Sequence, residues 1–213
     1  MAFSIDLFWS FRSPYCYLAL DRLLALARDQ GVEINVRPIY PIAVRMPDFF
    51  KTANPLYRPY HTLDSHRVAE NLGIPFRRPI PDPIPMDMEP GIPEKDQPYI
   101  YRLPRLGQAA VMAGKGLEFL DHVSRIIWDG SVDGWYDPPH LADAMMRAGL
   151  DAEKLESDVA AEPDKFDTAI EDNQNAHHAA GHWGVPLMVF DSEPFHGQDR
   201  VELLIWRMRE KGL

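Results

Sequence analysis

Cysteine is nearly missing from this sequence: one residue, Cys16, in a chain of 213. A lone thiol forms no internal disulfide and cannot alternate between dithiol and disulfide, which argues against the usual two-thiol redox cycle. Cations are scarce as well. Lys and Arg total 22 against 32 Asp and Glu, a formal net charge of −10, which argues against wide contact with nucleic acid or anionic lipid. A small anion stays open, because one or two local cations suffice for it. No apolar run approaches the roughly 20 residues of a membrane span. The opening "MAFSIDLFWSF" has no basic segment ahead of an apolar one, so it reads as a strand rather than a signal peptide, and a cytoplasmic protein is expected. What is plentiful is apolar: hydrophobic residues make up 46% and charged ones 25%, enough for a full core under an ordinary globular surface.

Residues 3–9, "FSIDLFW", alternate apolar and polar positions and predict a strand with one buried side. A helix start follows, with Ser13 as N-cap and Pro14 at the first helical position, where a missing N–H costs nothing. Leu18, Leu20, Leu23, Leu24 and Leu26 supply its core side, and Gly31 ends it. "VEINVRPI" (32–39) alternates again, so the opening is β-α-β, most simply a right-handed parallel unit. "HTLDSHRVAENLG" (61–73) predicts a helix ending at a glycine. Residues 74–104 are so dense in proline that neither helix nor central strand is expected to persist; they read as a long loop extended over the surface, a candidate functional cover. From Leu106 to about His182 the pattern is helical, with Asp137 a candidate N-cap and two acidic helices starting near Asp151 and Pro163. "PLMVF" (186–190) and "EPFHG" (193–197) predict strands, and "DRVELLIWRMREKG" a closing helix. The expected fold is α/β, with one domain in two parts (1–60 and 183–213) interrupted by a helical insertion (61–182) carrying the proline-rich loop.

Three stretches concentrate the chemistry: Ser13-Pro14-Tyr15-Cys16, Gly184-Val185-Pro186 and Gly197-Gln198-Asp199-Arg200. A strand running into a helix N-terminus offers free N–H groups and the positive end of the helix dipole, so an anion is favoured at Ser13, whose hydroxyl can donate to it. Ser13 as nucleophile would need a histidine as base, and eight histidines are present. No G-x-S-x-G elbow accompanies it. Ser13 as a plain helix cap needs nothing further.

The element order, together with "SPYCYLAL", Asn54-Pro55, "DSHRVAENLGIPF", "HWGVPLMVF" and "FHGQDRVELLIWR", resembles the DsbA-like thioredoxin-fold proteins. Within them the chain is most similar to the 2-hydroxychromene-2-carboxylate isomerases and the kappa-class glutathione transferases. The resemblance implies a thioredoxin-like domain split by a helical insertion, and glutathione as cofactor. It implies that Ser13 hydrogen-bonds the glutathione sulfur and favours its thiolate. Val185, ahead of a cis Pro186, would pair its backbone with the peptide; Gln198 and Asp199 would hold the γ-glutamyl end; Asn54 would lie near the thiol. The implied activity is glutathione-dependent isomerisation of an aromatic-pathway carboxylate, in a homodimer. A kappa-like transferase or peroxidase, a DsbA-like oxidoreductase and a non-catalytic thiol- or peptide-binding protein are the alternatives. Leu187 stands where such proteins commonly carry threonine.

Other residues admit two readings. Cys16 is either a packed side chain or a thiol able to form a mixed disulfide with glutathione. His178 and His182 have a spacing that can bind metal on a helix, but no H-E-x-x-H accompanies them, and a basic helix end is the simpler account; no metal is expected. Tyr15, Trp183 and Arg102 are candidates for a substrate pocket. His61, His66, Arg102 and Arg105 are candidates to meet a substrate carboxylate, with a solvated surface the ordinary alternative.

Overall fold

Alternation along β1 (Ser4–Trp9) buries Ile5 and Leu7 and leaves Ser4 and Asp6 accessible. In the computed structural model, which describes residues 3–87 and 92–213, this strand is central. Residues 1–2, within the first expected part, and 88–91, within the proline-rich run, lie outside the described residues. β1 pairs in parallel with β2 (Glu33–Pro38), from Ser4 opposite Glu33 to Trp9 opposite Pro38. On its other edge it pairs antiparallel with β5 (Leu187–Phe190), which pairs antiparallel with β6 (Glu193–His196), giving the order β2-β1-β5-β6.

The helix joining β1 to β2, α1 (Pro14–Gln30), begins and ends as its sequence dictates. Ser13 is extended and its Oγ accepts from the Cys16 N–H at 3.3 Å, while Gly31 takes the left-handed conformation (φ 66) that closes the last turn. Two one-turn helices that the sequence did not announce follow β2: α2 (Ile42–Arg45) and α3 (Phe49–Thr52). Then come α4 (Tyr57–Leu72), stopped at Gly73, and α5 (Arg102–Met112), α6 (Gly116–Trp128), α7 (His140–Arg147), α8 (Ala152–Ala161) and α9 (Pro163–Ala179). A last helix, α10 (Val201–Glu210), follows β6. Asp137 does not cap α7: Pro138 and Pro139 intervene and the helix opens at His140. None of the described helices is long and apolar enough to cross a membrane.

α5 packs on α6, α8 and α9 and also reaches β2, and α6 lies against α1. One core therefore runs through both parts, with Leu7, Leu18, Leu106, Phe119, Val123 and Phe166 in a single buried cluster. Gly107 permits the approach, since a Cβ there would lie 2.9 Å from the Phe11 ring.

The proline-rich run departs from expectation. It is not a loop laid over the surface. It holds a short antiparallel pair, β3 (Met86–Asp87) with β4 (Ile92–Pro93), and its last residues already belong to α5. Its apolar side chains anchor it: Ile84 and Ile100 are fully buried, and Phe76 stacks on Trp128 at 5.7 Å. Its carbonyls are used as well. Pro75 accepts from the Tyr17 hydroxyl at 2.8 Å and Pro81 from the Trp135 indole at 2.8 Å. Proline removes donors but not acceptors or side chains, so the run packs without forming regular structure. Ile100→Ala is accordingly expected to cost about 2–5 kcal/mol in urea unfolding; a change within about 0.5 kcal/mol, the range of a surface substitution, would contradict a buried run.

Candidate functional site

The end of β1 and the start of α1 open onto a cavity of about 600 Å³. Ser10, Arg12, Ser13 and Pro14 line one side, and Trp183, Gly184, Val185 and His196 line another. Arg45 comes from α2, and Phe50, Tyr57 and His61 from α3 and α4. The proline-rich run closes the ring with Arg78, Asp82, Ile84 and Met86, so it builds the cavity wall as well as filling the core. The volume lies within the range of small-molecule sites, and the lining is a mixture of rings and a few charged groups.

Ser13 uses its oxygen as acceptor for Cys16 N–H, which leaves its hydroxyl hydrogen available to the cavity. Cys16 cannot serve as nucleophile there. Its side chain is fully buried, and burial pushes the thiol up to about 12, against weaker opposing effects of Ser10, Ser13 and the Arg45 charge. The sole thiol of the chain is a packed one.

Charge in the cavity runs opposite to that of the chain. Arg12 makes a two-point ion pair with Asp82, Nε to Oδ1 at 2.8 Å and Nη2 to Oδ2 at 3.2 Å, and Arg78 reaches the same carboxylate at 3.1 Å. Burial works against the Asp82 charge, but the guanidiniums and the Ile84 N–H outweigh it and hold the carboxyl below its ordinary range. Arg45 has no such partner. Its Nε donates to the Tyr40 carbonyl at 2.7 Å and its Nη2 to the Trp183 carbonyl at 3.2 Å, and burial lowers it to about 10.

Histidines clamp the turn ahead of β5. Gly184 N–H donates to His182 Nδ1 at 2.9 Å, His177 Nε2 meets the Gly184 carbonyl at 2.9 Å, and His196 stacks on His182 at 3.9 Å between ring centres. Gly184 makes room for the His196 ring, since a Cβ there would sit 2.2 Å from His196 Nε2 and the ring would have to move. The Val185–Pro186 bond is cis, and the Val185 N–H and carbonyl have no partner among the described residues. Burial lowers His177 and His196 to about 4, and it lowers His61 to about 4 with help from Arg78 and Arg12. These three rings are therefore neutral near pH 7.

Of the residues singled out in the sequence, Ser13, Val185, Trp183 and His61 meet on the cavity wall. Pro186 is buried behind Val185. Gln198 and Asp199 stand in a short helical turn just after His196, Gln198 accepting from Arg22 at 2.6 Å and Asp199 paired with Arg200 at 3.0 Å. Asn54 is not on the wall; its Oδ1 accepts from Leu56 N–H at 2.9 Å and turns the chain into α4. Tyr15 is withdrawn too, its hydroxyl donating to Asp64 at 2.5 Å while its ring packs edge-on against His61. Arg102 lies elsewhere: Glu156 and the Tyr136 carbonyl hold it in a separate surface depression beside α7 and α8. Arg105 is paired with Asp167 at 2.6 Å, and His66 packs on Phe76. His182 falls beyond the end of α9, not one turn from His178 on a continuous helix, and the described residues contain no group of three or more His, Cys, Asp or Glu arranged for a metal ion. The arginines at 12, 45 and 78, with Asp82 and His196, were not picked out in the sequence. Arg12 directly precedes Ser13 and was the one with a local signal.

The family model described as "DSBA-like thioredoxin domain" matches residues 4–208, and the chain belongs to that family. Among solved structures, a 2-hydroxychromene-2-carboxylate isomerase superposes with a TM-score of 0.67 at 22% identity, over 97% of this chain and 95% of that one. A probable DsbA oxidoreductase from Streptomyces coelicolor gives 0.69 at 20%, covering 98% and 89%. The cytosolic disulfide reductase DsbM from Pseudomonas aeruginosa, in a structure with GSH, gives 0.59 at 16%, covering 97% and 99%. At these identities the likeness is one of fold. No curated protein matches the chain.

The three neutral histidines set the acid response. Below about pH 6.5 the unfolded chain takes up protons that His61, His177 and His196 refuse until about 4, so stability is expected to fall as pH drops through that window. Urea midpoints measured across it test this; a flat or rising profile on acidification would contradict the buried, neutral state.

Proposed function

We propose that the protein is a glutathione-dependent isomerase of the 2-hydroxychromene-2-carboxylate type. One observation carries the reading: the helix-capping Ser13 opens onto an arginine-bearing cavity while the only thiol of the chain is buried and pushed up to about 12. A site of the thioredoxin kind that has no accessible thiol of its own calls for one from a ligand. Dithiol chemistry of the DsbA sort has no second thiol here.

The residues fit glutathione. The unpaired backbone edge of Val185 suits an extended peptide, and the exposed Asp199 carboxylate, near the Gln198 amide, suits an ammonium group. Bound there, glutathione supplies a nucleophilic thiolate that can add reversibly to a conjugated acid and release it after rotation about a carbon–carbon bond. The protein's part is to hold and polarise. Ser13 donates its hydroxyl hydrogen to the sulfur. Arg12 and Arg78, already fixed on Asp82, offer their remaining N–H groups to a substrate carboxylate. Phe50, Tyr57 and Trp183 face a planar substrate with rings, and the neutral His61 and His196 line the same space. The reaction has no net redox change, so a buried Cys16 is no handicap.

Millimolar glutathione is expected to raise the melting temperature of the wild type. Ser13→Ala should weaken glutathione binding by about 10- to 100-fold, the worth of a hydrogen bond to a charged group, and cost about 1 kcal/mol of stability through the lost cap. Isomerisation of 2-hydroxychromene-2-carboxylate, followed by absorbance, should depend on added glutathione. A null thermal shift, or a rate indifferent to glutathione, would overturn the reading.

A further inference from the structure

A thiolate held at Ser13 needs positive charge beside it, and the start of α1 provides little. Pro14 has no N–H, the Cys16 N–H is taken by Ser13 Oγ, and the Tyr17 N–H is taken by the Ser13 carbonyl at 3.3 Å. Tyr15 alone brings a first-turn N–H without a protein partner among the described residues. The rings of His61 and His196 are neutral. Arg12 and Arg78 share Asp82 and are the cations assigned above to a substrate carboxylate, and Arg58 lies within the field of those two.

Arg45 is differently placed. It lines the same cavity as Ser13, and its charge acts on the Cys16 sulfur, three residues along from Ser13 on the first turn of α1. Its protein partners are two neutral carbonyls, those of Tyr40 and Trp183, and no carboxylate pairs with it among the described residues. A half-buried guanidinium held by carbonyls alone carries a desolvation cost that an anion in the cavity would offset. The same residue links the Tyr40 carbonyl, two residues past β2, to the Trp183 carbonyl, two residues ahead of Val185.

We propose that Arg45 is the counter-ion of the ligand sulfur at Ser13, so that the site selects a thiolate over a thiol. This rests on the glutathione reading above and goes beyond it by assigning the charge that ionises the ligand. An opposite charge within a few ångströms lowers a thiol pKa by about one to three units. The preference for glutathione over S-methylglutathione, which keeps the same carboxylates and ammonium but has a sulfur that cannot ionise, should then climb with pH until the free thiol itself ionises.

Calorimetric titration of both ligands from about pH 6 to about pH 9, spanning the free-thiol range, tests this without recourse to turnover. In the wild type the preference for glutathione over S-methylglutathione should grow about tenfold or more across the range. In Arg45→Gln, whose amide can still donate to a neighbouring carbonyl, that growth should be lost, and Arg45→Lys should restore most of it. A wild-type preference that does not change with pH overturns the proposal without any variant. A preference that grows equally in Arg45→Gln overturns the assignment of Arg45 and leaves the glutathione reading standing. Failure of the wild type to bind either ligand overturns the glutathione reading, and this proposal with it.

Discussion

The hydrogen bond from the Cys16 N–H to Ser13 Oγ, at 3.3 Å, organises the whole site. It starts α1 directly at the end of β1, and it fixes the serine oxygen as acceptor so that the hydroxyl hydrogen is left for the cavity. It also sets the phase of the helix. With Ser13 at the cap, Cys16 falls on the buried side with Leu20 and Leu23, and the only thiol is packed into the core. The local interaction that opens a ligand site is thus the one that takes the protein's own thiol out of use.

Around that point the electrostatics invert. The chain carries a net charge of −10, yet its arginines at 12, 45, 58 and 78 converge on one cavity. Exposed carboxylates beyond a Debye length of about 8 Å are largely screened, whereas groups in a half-buried cavity are not. A small anion therefore meets a local field that the net charge does not report. Asp82 holds two of the cations in place, and the carbonyls of Tyr40 and Trp183 hold a third. Positioning by neutral or already paired partners leaves charge available to a ligand.

Much of the fold was legible because its signals are local. Alternation marked β1 and β2, the Ser13-Pro14 pair and Gly31 bounded α1, and Gly73 ended α4. The order of the sheet, β2-β1-β5-β6, was not read from the sequence, because no local pattern carries it. The proline-rich run was misread as surface because its prolines speak of backbone only; Ile84 and Ile100 are buried in the common core, Phe76 stacks on Trp128, and the Pro81 carbonyl takes the Trp135 indole N–H, partners far off in sequence. The same reason hid half of the site. Ser13 and Val185 stand in recognisable motifs, but Arg45, Arg78 and Asp82 acquire meaning only when three separate segments meet. Arg102 misled in the opposite way: a cation in a promising stretch, it is held by Glu156 across the helical block.

A structure of the protein with glutathione soaked into the crystal tests the central claim most directly. The ligand sulfur is expected within hydrogen-bond reach of Ser13 Oγ, with the peptide backbone paired to Val185 and no bond to Cys16. Glutathione bound elsewhere on the surface, or joined to Cys16 as a mixed disulfide, would contradict it.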